Sequence, residues 1–241
     1  MIQNILNNKS LLDDTFISGT ADLNGIIDKK FEGFHYGISI GKRLDDRIID
    51  TISNGPTLEY YNYYNQINTE LTEKSLEIKK ELQKTGIDSI VIEPTVSTSS
   101  KEFKAYLNNL TVDISHKMTA TRAGLGWIGK TDLFISKKFG PRLRLASILI
   151  NRKPDTVSVP VEKSRCGKCN ICVDKCPANA ATGKLWNINV HRDSFFNAHK
   201  CRETCGLLAK EKLNVDMRIC GICVSVCPVG QKNKKKLNMT D

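Results

Sequence analysis

The chain has 241 residues, 40% of them hydrophobic and 26% charged, the balance of a globular protein with a real core rather than a disordered segment. The opening "MIQNILNNKSLLDD" lacks a charged head followed by an apolar stretch. Apolar runs such as "LASILI" are strand-sized, far short of the roughly 18 residues a membrane span needs, so secreted and membrane-spanning classes are excluded and a cytoplasmic protein is expected. The formal net charge is +10; part of it lies in residues 231–236, "QKNKKK", which read as a solvated terminus, with weak nucleic-acid attraction as the alternative.

In chain order, the N-terminal half alternates strand and helix signals. "HYGISIG" puts Tyr36, Ile38 and Ile40 on one face, as a half-buried strand does. Residues 54–86 read as a long helix, with Pro56 near its first turn and Gly86 just past its end. Along it Tyr61, Tyr64, Ile67, Leu71, Ile78 and Leu82 recur at helical spacing, which predicts a core face with tyrosines at its rim. "SIVIEP", "TDLFIS" and "LRLASILIN" are three further strand candidates, and an α/β layered domain follows.

Between them lies "GLGWIGKT", residues 124–131, which matches the phosphate-loop pattern at Gly124, Gly129, Lys130 and Thr131. That chemistry needs a buried strand feeding the loop and a helix leaving it, so that backbone N–H groups point at phosphate. Here the order is reversed: helix-like "DISHKMTATRA" precedes the loop and strand-like "TDLFIS" follows. The glycines instead predict a tight helix-to-strand turn with Trp127 in the core, or a close backbone approach to a planar cofactor.

"NRKPDTVSVPVEKS", residues 151–164, reads as an extended connection, which sets domains at 1–155 and 156–241. Beyond it lie all nine cysteines. In a reducing compartment they imply metal rather than disulfides. "CGKCNICVDKCP" places Cys166, Cys169, Cys172 and Cys176 at the spacing of bacterial two-cluster ferredoxins, in which the fourth cysteine ligates the other cluster. "CGICVSVCP" repeats the pattern one ligand short, with Cys220, Cys223 and Cys227. Under the crossing rule one cluster takes Cys166, Cys169, Cys172 and Cys227. The other takes Cys176, Cys220 and Cys223 and needs one more thiolate, from Cys201 or Cys205. A pair of zinc sites is the alternative, but zinc sites favour paired two-cysteine units without a third at the same gap.

"RAGLGWIGKTDLFISKKFG" followed by crossed cysteine runs resembles the epoxyqueuosine reductase family and, more distantly, the corrinoid reductive dehalogenases, over residues 110–230. The resemblance implies an α+β protein. Its N-terminal α/β domain would be nitroreductase-like or cobalamin-processing-like and hold cobalamin. Its C-terminal two-[4Fe–4S] ferredoxin-like domain would pass electrons to cobalt. It also implies Cys201 as the eighth ligand, and Gly124, Gly126, Trp127, Gly129 and Lys130 as the lining of the cofactor pocket. Family members carry an Asp-Ser-x-Pro-x-x-Glu run whose aspartate is the expected proton donor. Here "TVDISHKMTATRA" keeps Asp113 and Ser115 only, and His116 stands nearby, so Asp113 or His116 is the expected donor or substrate-orienting group. The implied electron donor is reduced ferredoxin or flavodoxin. The chain stops soon after its second run, whereas the family continues into a helical-repeat domain, which makes tRNA the less expected partner. A ferredoxin-like carrier serving a separate enzyme or corrinoid protein is the alternative to a self-contained reductase.

Overall fold

The structure, a computed structural model, describes residues 1–96, 98, 99 and 103–231. The charged stretch "KNKKK" therefore lies outside the described residues. Elements follow in the order α1 (Ile2–Leu6), β1 (Phe16–Asp22), β2 (Tyr36–Arg43), α2 (Asp46–Asp50), α3 (Leu58–Lys84), β3 (Ser89–Ile92), α4 (Phe103–Asn109), α5 (His116–Arg122), β4 (Gly126–Ile128), β5 (Phe134–Ser136), β6 (Leu143–Ile150), α6 (Ile171–Asp174), α7 (Ala198–Leu213) and α8 (Ile222–Val226). The protein is of mixed helix and sheet, 36% helical and 17% strand.

Two compact units form, each discontinuous in sequence. The first comprises Met1–Arg43, Gln66–Leu125 and Arg144–Val161. Its sheet has strand order β1-β2-β6-β3, with β1 antiparallel to β2 and β3 antiparallel to β6. Strand β2 is buried continuously from Gly37 to Gly41 rather than on alternate residues. It lies between two neighbours in the sheet and α5 packs on it and on β1; the unbroken burial means that both of its faces are covered. Strand β1, "FISGTAD", has no alternating apolar pattern to reveal it; Gly19 is there because a Cβ would stand 3.1 Å from the Ala123 carbonyl oxygen.

Helix α3 buries Ile67, Leu71, Ile78 and Leu82 along one face, each with at most 2% of its surface exposed. Ser75 on the same face returns its hydroxyl to the Leu71 carbonyl at 2.7 Å. Pro56 precedes the helix instead of sitting in its first turn, and the Thr57 hydroxyl accepts from the Tyr60 N–H at 3.2 Å. Gly86 ends it at φ +70° while Ile87 N–H reaches back to the Leu82 carbonyl. Tyr60 is buried; Tyr61 and Tyr64 are half-buried, at the rim.

The second unit comprises Leu44–Asn65, Gly126–Leu143 and the chain from Glu162 onward. Segments 44–65 and 126–143, which a single cut at residue 155 would assign to the first half, pack with the cysteine runs. The reason is a buried cation. Arg142, 2% exposed, donates to Asp46 and Asp50 at 3.1 and 2.6 Å and to the Ser225 carbonyl at 3.2 Å. Helices α2 and α6 pack against α8, and β4 pairs with β5 as a short antiparallel hairpin. No helix among the described residues is long and apolar enough to cross a membrane.

The buried stripe of α3 predicts that Leu71→Ala lowers unfolding stability by about 2–5 kcal/mol. Leu76→Ala, on the exposed face, shifts it by no more than about 0.5 kcal/mol. Urea midpoints of the two variants at matched slope check this.

Candidate iron–sulfur site

None of the nine cysteines forms a disulfide, and all are half-buried. Two short helices carry several of them: α6 follows Asn170 with Cys172 in its first turn, and α8 follows Gly221, whose φ of +88° turns the chain between Cys220 and Cys223. The sulfurs fall into two groups. Cys227 lies in electrostatic reach of Cys172, Cys166 and Cys169. Cys223 lies in reach of Cys220, Cys201, Cys172 and Cys176. Each group therefore draws members from both sequence runs, and Cys172 neighbours both.

Burial raises the Cys227 thiol to about 12 and pushes the Cys223 and Cys172 thiols upward too. Such groups are poor thiolates on their own; a bound cation reverses that balance, because a coordinating thiol is deprotonated outright. Helix α7 places Cys201 and Cys205 one turn apart, their sulfurs separated by 3.9 Å. Cys205 also meets Cys220, donating its S–H there, which lowers the Cys220 thiol to about 7. No group of three or more His, Cys, Asp or Glu among the described residues is gathered closely enough to hold a single metal ion.

The glycine loop joins helix to strand, in the order the sequence implies: α5, the turn at Gly124, then β4. Gly124 has φ +69°, and a Cβ there would stand 2.7 Å from the Val159 carbonyl oxygen. A Cβ on Gly126 would stand 2.1 Å from the Ile135 carbonyl oxygen across the hairpin. At the hairpin tip Gly129 N–H donates to the Leu133 carbonyl at 2.8 Å. These close approaches are made to protein atoms. Past Gly126 the side chains turn to the first cysteine run. The Trp127 indole N–H donates to Cys166 Sγ at 3.4 Å, Lys130 Nζ donates to Asn170 Oδ1 at 2.7 Å, and the Thr131 hydroxyl bonds the sulfur of Cys172. Thr131 and Asn170 escaped sequence reasoning as cysteine-run partners. The one available signal was Thr131 closing the phosphate-loop pattern, and it pointed to a different chemistry.

The two expected proton donors differ in setting. His116, at the start of α5, has Nε2 2.9 Å from the Glu93 carbonyl and Nδ1 2.9 Å from the Ser147 hydroxyl. A carbonyl only accepts, so Nε2 carries the proton and Nδ1 accepts from Ser147. Desolvation, with Arg144 nearby, pushes the imidazole down from 6.5 to about 4, which leaves it neutral and committed on both nitrogens. Asp113 is half exposed and ion-pairs with Lys30. Asp113 is thus exposed and ion-paired, whereas both ring nitrogens of His116 are hydrogen-bonded within the protein.

A cysteine-rich unit with these spacings and sulfur groups, in a chain that also carries a sheet-and-helix unit, defines a two-cluster iron–sulfur protein. Residues 165–230 match the 4Fe-4S double cluster binding domain. The chain resembles the epoxyqueuosine reductases: that of Cyclobacterium marinum is 27% identical over 207 residues, covering 80% of this chain and 64% of the relative. The curated relatives it matches are longer, and it spans from under a third to just under two thirds of their length. Among solved structures, an epoxyqueuosine reductase bound to an epoxyqueuosine-modified tRNA-Tyr stem loop aligns with TM-score 0.58 at 19% identity, over 95% of this chain and 64% of that one. The reductive dehalogenase NpRdhA aligns with TM-score 0.63 at 15% identity, over 90% of this chain and 30% of that one. These structural likenesses establish the shared fold.

The neutral state of His116 carries a sign for pH. Its folded pKa lies below the unfolded 6.5, so the unfolded chain binds more protons between about 4 and 6.5. The contribution of neutral His116 is whole above that window and is lost as pH falls through it. Wild type loses more of its urea midpoint between pH 7 and pH 4.5 than His116→Gln does; equal losses would show that burial of the ring has no hold on stability.

Proposed function

We propose that the protein is an oxidoreductase that passes single electrons through two [4Fe–4S] clusters to an acceptor held by its sheet-bearing unit. The crossed grouping of the sulfurs is the observation that carries this reading. One cluster takes Cys166, Cys169, Cys172 and Cys227; the other takes Cys176, Cys220, Cys223 and Cys201. As the eighth ligand we take Cys201, the α7 cysteine that the resemblance implies and that lies in reach of Cys223; Cys205, one turn further along the same helix, meets Cys220.

The acceptor that the resemblance implies is a corrinoid, which when bound supplies low-valent cobalt for reduction of a small or nucleoside-type substrate. The resemblance implies Gly124, Gly126, Trp127, Gly129 and Lys130 as the lining of its pocket, and the close contacts of that loop are to protein atoms. Gly124 and Gly126 are closed by Val159 and Ile135, and Trp127 and Lys130 face Cys166 and Asn170. For the proton donor this reading takes Asp113, the residue that the resemblance implies; it stands exposed with Lys30 as its ion-pair partner, so it would have to take up a proton before giving one.

Electrons enter at the first cysteine run. Ile171 is 38% exposed, and Lys168 and Lys175 are exposed on either side of it. An exposed apolar residue with a lysine on either side of it in sequence suits an acidic carrier such as reduced ferredoxin or flavodoxin, with the exposed Asp174 the one opposing charge on helix α6. The same face favours the second reading, an electron carrier serving a separate enzyme or a separate corrinoid protein. A tRNA partner draws its support from the +10 charge and from the tRNA stem loop bound to one solved relative.

Two measurements test the proposal. After anaerobic reconstitution the wild type and Cys205→Ala retain about eight iron per chain, and Cys201→Ala retains about four; loss of iron in Cys205→Ala alone would move the eighth ligand to that residue. Reconstituted protein is then mixed with hydroxocobalamin, freed of unbound cofactor and reduced. Near-stoichiometric cobalt with an altered cob(II)alamin EPR signal supports the self-contained reductase. Both cluster signals without retained cobalt leave the carrier.

A further inference from the structure

The β4–β5 hairpin brings three hydrogen-bond donors to one cysteine run within five residues, and none is explained by packing alone. Trp127 is 7% exposed, yet its indole N–H is spent on a sulfur, Cys166, at 3.4 Å. Thr131, 6% exposed, bonds the sulfur of Cys172. Lys130 is 4% exposed, and among the described residues its ammonium has one partner, the neutral amide oxygen of Asn170 between Cys169 and Cys172. A buried ammonium without a carboxylate partner is costly. It becomes favourable when an anion stands beside it, and four thiolates around a [4Fe–4S] core make such an anion.

We infer that Trp127, Lys130 and Thr131 form a tuning cradle for the cluster held by Cys166, Cys169, Cys172 and Cys227, and that they raise its reduction potential. The inference rests on the two-cluster reading above. Its physics is that of any thiolate cluster. Adding one electron increases the negative charge on the core and its sulfurs. N–H and O–H donors to those sulfurs and a fixed nearby cation stabilise the reduced form more than the oxidised one, so the couple shifts positive. The donors sit on a paired strand and its turn, fixed by the Gly126 approach to Ile135, so they are in place before the electron arrives. They act on the cluster, not on substrate, and are positioning residues.

The test is an EPR-monitored redox titration of the reconstituted full chain, with iron counted in every sample. Trp127→Phe, Thr131→Val and Lys130→Gln each make one cluster harder to reduce and leave the other unmoved. The Lys130→Gln ratio of reduced to oxidised cluster falls about tenfold at a fixed poise, equivalent to 59 mV for a one-electron couple. Thr131→Ser and Lys130→Arg, which keep the donor and the charge, stay near wild type. Unchanged potentials at full iron content in all three variants overturn the inference, as do equal shifts of both clusters, the sign of general loosening. If Lys130→Gln fails to load iron, Trp127→Phe and the Thr131→Val and Thr131→Ser pair decide. A wild type that binds no more than one cluster would instead sink the two-cluster reading itself.

Discussion

The cysteine-bearing unit depends on one buried cation. Arg142 belongs to a segment that precedes the first cysteine by more than twenty residues, and its guanidinium reaches two carboxylates of α2 and a backbone carbonyl of α8. Three stretches distant in sequence thus meet at one planar group. A buried ion pair is weak evidence of stability on its own, since desolvation offsets much of the attraction. Its geometry is nonetheless specific, because a fork of five donors accepts few arrangements of partners. Arg142 Nε remains without a hydrogen-bond partner among the described residues, so the arrangement favours position over complete satisfaction. What it positions is Ser225, midway between Cys223 and Cys227 on α8.

From that anchor the sulfur groups follow. With α8 fixed, Cys223 and Cys227 come into reach of different members of the first run, and the ligand sets proposed above would tie residues 166–176 to residues 220–227 twice. Metal binding of this kind is coupled to folding, because the unfolded chain presents no preformed site and each bound cluster adds its binding energy to the folded state. The buried thiols carry the same message. Desolvation makes Cys223 and Cys227 reluctant thiolates, so the protein invests folding energy in a site that iron then stabilises.

The sequence announced the cysteine chemistry because spacing is itself the signal: two-residue gaps and a following proline survive without any knowledge of tertiary contacts. The long helix was legible too, since Ile67, Leu71, Ile78 and Leu82 repeat at helical period and Gly86 ends them. Strand β1 was not, because its middle residues are Ser, Gly, Thr and Ala, without apolar alternation, and Gly19 makes room for the Ala123 carbonyl just past α5. Nor was the allegiance of segments 44–65 and 126–143, which is decided by Arg142 and by the hairpin, contacts that no local pattern encodes. His116 looked like a proton donor by position alone. What its position could not show is that both ring nitrogens are hydrogen-bonded within the protein, to Glu93 and Ser147, which is a tertiary fact.

The letters of residues 124–131 show how different physical problems can converge on one spelling. A loop built to hold phosphate requires glycines for tight backbone turns, a lysine for charge and a hydroxyl for a metal. Here the first glycine makes room for a carbonyl, Gly129 closes a hairpin, Lys130 is buried beside Asn170 and Thr131 serves a sulfur. A text search would file this chain among nucleotide-binding proteins. The reading frame that separates the two is topological: whether a strand enters the loop and a helix leaves, or the reverse. In this chain the order of the flanking elements, helix α5 before the loop and strand β4 after it, is what separates the motif from a phosphate loop.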